Sequence, residues 1–558
     1  AGGGLTVGAA SLRNGGQIQS DGSLAVMLAG GLDNRGTVSA LGNLTVQGTT
    51  LGNAGQLAAR GALTLELRGA LGNTGTLAGQ TATVRAASLD NGGLLSGRDG
   101  LTVTLPGTLT NGGRLEGQTL SLTADTLDNG GTLLGMDALT LATAGTARNQ
   151  ASGQWLSNGE SRLTAAALDN QGRWQGDRLH ATAGTVRNGG TLSADGTLTV
   201  QAQTQLDNSG SLLAGGALTV QAAQTANLGV MAGDALTVTG ALLSNGGTLQ
   251  GRQALTLTAD GALTNTATGK LLTQGAAVLN AAAAENDGEW QAGTLLLTAD
   301  SLRNGGRIQS DGALTAALSA TGALTNTGTL ASRGALTLTG DYAGGGSLYS
   351  EAALTLSGAD IANAGGRWQG STIDITGQQL ENQGTLVGGR IALIGQQLAN
   401  TGNITGLDSL TVTLPGTLTN GGRLEGQTLS LTADTLDNGG TLLGVDALTL
   451  AIAGTARNQA SGQWLSNGES RLTATALDNQ GQWQGARLEA TAGTVRNAGQ
   501  VLGLSALTLT INDTLTSTAT GTLLTQGAAV LRAATAENDG EWQAGTLLLT
   551  ADSLRNGG

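Results

Sequence analysis

Residues 127–141 read Leu-Asp-Asn-Gly-Gly-Thr-Leu-Leu-Gly-Met-Asp-Ala-Leu-Thr-Leu, and this stretch decides the fold. Leu127 and Leu133 flank Asn129-Gly130-Gly131; Leu139 and Leu141 follow, with Thr140 between them. Apolar residues at every second position mark a strand with one buried face. Leu alternating with Thr suits such a pleated, half-buried surface. Asn and Gly tolerate positive φ, so the Asn-Gly-Gly step is expected to be a corner.

The same grammar extends in both directions. Leu-x-Asn-x-Gly recurs at Leu12–Gly16, Leu32–Gly36, Leu71–Gly75 and Leu380–Gly384. In all, 29 anchors run from Asn14 to Asn556, spaced 18 to 22 residues apart. Only two lack Asn, one near Gly344 and one at Ser517. Leu sits two residues before the Asn, and Leu, Ile, Val or Trp four after it. Two more apolar residues follow in the next strand, as with Leu51, Leu57, Leu63 and Leu65 around Asn53. No segment carries a sustained helical period.

A unit this short holds two or three strands and cannot bury its apolar face alone. Stacked units make a continuous core, each contacting only its neighbours. The expected fold is therefore all-β: a parallel β-helix of about 29 coils of roughly 19 residues. At about 4.8 Å between paired strands it would form a rod of roughly 14 nm.

Stacked anchor amides can hydrogen-bond up and down such a helix. A structural ladder is accordingly assigned to Asn14, Asn34, Asn53, Asn73, Asn91, Asn111, Asn129, Asn170, Asn188, Asn208 and Asn245. It continues through Asn286, Asn304, Asn326, Asn382, Asn400, Asn420, Asn438, Asn479, Asn497, Asn538 and Asn556. Asp precedes several of these, as at Asp33, Asp90 and Asp128. Calcium-binding β-rolls, however, need a nonapeptide repeat that is absent here. No catalytic, cofactor-binding or metal-binding residue is assigned, and no cofactor is expected.

Composition narrows the function classes. The 558 residues include 95 Gly, no Cys, no Phe, one His and two Pro, with a net charge of −13. An acidic chain without a basic run is a poor partner for nucleic acid or anionic membranes. Absence of Cys removes disulfides, thiolate metal sites and Cys nucleophiles. No apolar run is long enough for a membrane-spanning helix. The chain opens on Ala1-Gly2-Gly3-Gly4 and closes within a repeat, so it reads as a fragment of a longer fibre. Residues 1–558 are expected to form one continuous β-helix whose uncapped ends associate end to end.

Larger duplications overlie the short repeat. Residues 101–190 align with 410–499, differing at 7 of 90 positions; residues 264–306 align with 516–558, differing at 4 of 43. The offsets differ by whole coils, which a solenoid tolerates. A site assembled from unique residues is not expected to be built this way.

The remaining candidates for chemistry are few. The lone His180 is replaced by Glu489 in the duplicate, which suits a solvated position. Seven Trp occupy the slot that Leu or Ile fills elsewhere; they read as core, with sugar-stacking platforms as the alternative. No coil carries an insertion able to wall a cleft, so no enzymatic activity is expected. Leu-Thr-Leu-Thr strands present outward Thr, a face that could suit ice, but Met27, Gln47, Glu66, Arg68 and Ile394 interrupt it.

Leu-x-Asn-x-Gly-x-Leu followed by Ala-Leu-Thr-Leu-Thr-Ala resembles the haemagglutinin repeat of filamentous haemagglutinins and of CdiA-type contact-dependent growth inhibition effectors. The resemblance covers essentially the whole chain and implies a right-handed parallel β-helix. It also implies two-partner secretion: export through a dedicated outer-membrane β-barrel to the surface of a Gram-negative cell. The segment would then be a rigid stalk projecting a receptor-binding or toxin-bearing tip, with the target-cell receptor bound by another segment. The alternative is a shaft that is itself an adhesin for cell-surface glycans. Neither the Asn-Pro-Asn motif of the secretion domain nor the Val-Glu-Asn-Asn motif that precedes the toxin occurs here.

Overall fold

The computed structural model describes residues 3–558. It is a parallel β-solenoid of about 29 turns of roughly 19 residues. Contacts divide it into two units, Ala1–Asn280 and Ala281–Gly558.

In the first unit an early turn has three short strands, Thr37–Ala40, Leu44–Gly48 and Leu51–Asn53. Each pairs in parallel with its equivalent one turn away. Val38 lies opposite Leu57, Leu44 opposite Leu63, and Leu32 opposite Leu51. Further along, strands run on through the corners, as in Leu94–Thr104 and Thr191–Asn208. Many of these carry a one-residue register shift at the bend, for example between Gly176 and Arg178. Such bulges let a strand turn without leaving the sheet.

Period-two patterning sets what is buried. Leu63 and Leu65 are 0% exposed, and the intervening Thr64 is half-buried. Each regular turn contributes four apolar columns of this kind, each fully buried large side chain adding about 1.5–3 kcal/mol. The core is thus a stack of like on like, with Leu71 beneath Leu89 and Leu89 beneath Leu109.

The second unit follows the same plan, with Leu398 opposite Leu418 and Leu418 opposite Leu436. It also holds the irregular stretch. Among the described residues, positive φ occurs only at Gly340, Gly344 and Gly365.

That finding corrects the reading of the corners. Apart from Gly365 in the Asn363-Ala364-Gly365 step, the Asn-x-Gly steps use no left-handed residue, and none of the asparagines is left-handed. Glycine two residues after the Asn is needed for clearance instead. A Cβ on Gly113 would overlap the Gly93 carbonyl oxygen one turn below, and one on Gly131 would overlap that of Gly113. Backbone packs on backbone along this edge, and only glycine permits it.

Candidate functional site

Within the first unit, the asparagines after the Leu column form a line of hydrogen bonds. Asn34 Nδ2 donates to Asn53 Oδ1 at 2.7 Å, and Asn53 Nδ2 donates to Asn73 Oδ1 at 2.8 Å. The line continues through Asn188 to Asn208 at 2.7 Å and Asn245 to Asn265 at 2.8 Å. Each of these donor amides points toward the following turn. The second donor hydrogen reaches main chain: Asn34 Nδ2 also lies 3.2 Å from the Gln56 carbonyl oxygen. These rungs are buried, so each amide needs its partners. In the second unit Asn286 donates to Asn304 at 2.8 Å, and Asn479 to Asn497 at 2.8 Å.

The two anchors lacking Asn behave differently. At the first, Gly344 lies opposite Asn363. Tyr342, standing in the neighbouring Leu column, supplies the acceptor for Asn326 Nδ2 at 3.1 Å. Its ring also meets Trp368 edge-on, centroids 4.9 Å apart. Burial pushes the Tyr342 hydroxyl up to about 12. At the second, Ser517 lies opposite Asn497. Ser517 Oγ donates to the Gly521 carbonyl at 3.2 Å, and Asn497 Nδ2 donates to the Thr522 carbonyl at 3.1 Å.

Six of the seven tryptophans, Trp155, Trp174, Trp290, Trp368, Trp464 and Trp483, are fully buried; Trp542 is half-buried. The stacking-platform alternative therefore fails for the six. The duplicated blocks pair them alike: Trp155 with Trp174 at 5.4 Å and Trp464 with Trp483 at 5.9 Å, both edge-on. Trp174 Nε1 donates to Ser161 Oγ at 2.7 Å, and Trp483 Nε1 to Ser470 Oγ at 2.8 Å. Sequence reading missed these serines, although each stands where neighbouring turns place Leu, opposite Leu139 and Leu448 respectively.

His180 is half-buried on an outward column, its Nε2 3.6 Å from Glu160 Oε1. Arg162 donates to the same carboxylate and, with its charge, holds Glu160 below the usual carboxylate range. In the duplicate, Glu489 faces Arg471 at 3.6 Å instead. Acidic and basic residues also alternate just before the Asn column, as with Arg148–Asp169 at 3.6 Å and Arg187–Asp207 at 3.7 Å. These are exposed pairs of small individual worth. Among the described residues no three His, Cys, Asp or Glu side chains converge on a metal-sized site.

The threonine face is real but discontinuous. Thr45, Thr64, Thr83 and Thr102 stack in one column, which Arg162 and His180 later occupy. Beside it, Met27, Gln47, Glu66 and Arg85 form the adjoining column. They line an open hollow of about 690 Å³ together with Arg68.

Comparison with known proteins places this geometry. The haemagglutinin repeat family matches in overlapping segments over residues 1–365 and again over 389–558. The chain is 54% identical over 450 residues to the deoxyribonuclease CdiA of Dickeya dadantii strain 3937, covering 74% of this chain and 11% of that protein. It is 32% identical over 398 residues to the tRNA nuclease CdiA of Escherichia coli strain NC101, covering 70% of this chain and 9% of that one. A 101-residue stretch is 40% identical to the 16S rRNA endonuclease CdiA of Enterobacter cloacae. The match thus spans only about a tenth of the length of the first two relatives and 3% of the third. No solved structure gives a significant match.

Proposed function

We propose that this chain, which belongs to the haemagglutinin repeat family, is a stalk segment of a CdiA-type surface protein. Its work is mechanical: it holds an active or receptor-binding region away from the cell. One observation carries the reading. Relatives named for attack on DNA, tRNA and 16S rRNA are similar to this chain, and the matched segment covers about a tenth of the first two. A segment common to proteins of different named activities is not what distinguishes those activities, so the segment itself is read as non-enzymatic.

The same reading gives the chain an outer-membrane β-barrel transporter as export partner and the surface of a Gram-negative cell as its place. It leaves receptor binding to another segment. Burial of the tryptophans favours this over a glycan-binding shaft. The test is direct binding of the purified, fluorescently labelled chain to target cells. The stalk reading expects no saturable binding; saturable binding competed by unlabelled chain would overturn it.

A further inference from the structure

Asn-Gly is the dipeptide most prone to spontaneous loss of ammonia, because glycine leaves the following backbone nitrogen unhindered. The sequence contains it repeatedly, in two environments that differ sharply. Nine buried column residues precede a glycine, among them Asn111, Asn129, Asn188 and Asn438. Apart from Asn556, an exposed column residue whose Oδ1 accepts from Asn538, the other environment is an exposed bend, at Asn158-Gly159 and at Asn467-Gly468 in the duplicated block.

In the column, both reacting groups are held. Asn129 Nδ2 donates to Asn149 Oδ1 at 3.0 Å, while the Gly130 nitrogen donates to the Asn111 carbonyl at 2.8 Å. Asn188 has the same arrangement, with the Gly189 nitrogen 2.8 Å from the Asn170 carbonyl. Cyclisation there requires breaking the amide link and the main-chain bond and rotating the side chain out of a packed column. In the bend, Asn158 is exposed, and its side-chain amide has no hydrogen-bond partner among the described residues. The Gly159 nitrogen donates only to Ser157 Oγ at 3.2 Å, and the Gly468 nitrogen only to Ser466 Oγ at 3.1 Å.

We propose that Asn158 and Asn467 are the sites at which the folded protein is modified by deamidation, the Asn-Gly pairs of the buried column being protected by the fold. The glycine nitrogen attacks the asparagine Cγ. A new C–N bond closes a cyclic imide, the Cγ–Nδ2 bond breaks, and the side-chain nitrogen leaves as ammonia, carrying the proton lost by the glycine amide. Water then opens the imide at either carbonyl, giving aspartate or isoaspartate. Each event adds a negative charge at the entry to the strands Glu160–Asn170 and Glu469–Asn479. The isoaspartate product also lengthens the backbone of the bend by one methylene.

The experiment incubates the whole chain at mildly alkaline pH, folded and in concentrated urea, and maps peptides by mass spectrometry against time. In the folded chain Asn158 and Asn467 should convert at least about tenfold faster than Asn111, Asn129, Asn188 or Asn438, because reaction in the column needs local opening. In urea the same peptides should convert at similar rates. Equal rates in the folded chain, or column residues reacting before Asn158 and Asn467, would overturn the proposal.

Discussion

Asn326 Nδ2 donates to Tyr342 Oη at 3.1 Å in the one turn where glycine, Gly344, stands at the asparagine position. The tyrosine reaches from the neighbouring buried column and supplies the oxygen that the column lacks. Tyr342→Phe should leave Asn326 short of an acceptor and destabilise the second unit by about 1–2 kcal/mol. Hydrogen exchange confined to the turns around residues 326–363 would register it.

The same hydroxyl gives an alkaline signature. Burial raises it from 10.0 to about 12, so between those values the folded state holds a proton that the unfolded state has lost. Its stabilising contribution is complete below pH 10 and disappears as pH rises toward 12. Denaturation midpoints measured across that range should fall more steeply for the wild type than for Tyr342→Phe.

Ser517 offers the opposite change. Its counterpart in the duplicated block is Asn265, in a turn of the same sequence pattern, Thr-Ala-Thr-Gly. Ser517 Oγ and Asn265 Nδ2 each donate to the carbonyl of the turn's last glycine, at 3.2 and 3.0 Å. Ser517→Asn should therefore fit without rearrangement, accept from Asn497, and stabilise the chain by roughly 1 kcal/mol. Urea denaturation would show a raised midpoint.

Adjacent glycines should respond in opposite senses. A Cβ on Gly112 meets nothing within 4 Å, whereas one on Gly113 overlaps the Gly93 carbonyl oxygen. Gly112→Ala should be neutral or stabilising by about 0.5 kcal/mol. Gly113→Ala should cost about 2–4 kcal/mol by forcing two turns apart. Thermal denaturation of the pair checks this.

Thr225 occupies the buried Leu column, between Leu206 and Leu243, and its Oγ1 has no partner. Thr225→Val removes an unpaired buried hydroxyl at constant shape. It should stabilise the first unit by about 1 kcal/mol, read from the same denaturation curves.

Most of the fold was legible because it is written many times. Leu63, Thr64 and Leu65 state a strand, its buried face and its pairing partner at once, and each turn confirms the last. What escaped lay where one copy departs from the pattern. Tyr342 stands at a Leu position two residues before the failed anchor, a signal visible in sequence, but its hydroxyl becomes an acceptor only once the turn is closed. Ser161 and Ser470 likewise acquire a purpose only when Trp174 and Trp483 are placed beside them. The sequence does not distinguish a corner glycine chosen for positive φ from one chosen for close approach; it is close approach in the column of Gly93, Gly113 and Gly131, and positive φ at Gly365.

The central claim is that these turns are interchangeable structure carrying no unique site. The most direct measurement excises residues 171–188, one whole turn, from the proposed CdiA-type surface protein and follows both its display on the cell and the proposed action on target cells. The account expects display and action to persist, whereas removing half that segment, residues 171–179, should abolish display. Loss of action with display intact after the whole-turn deletion would contradict it.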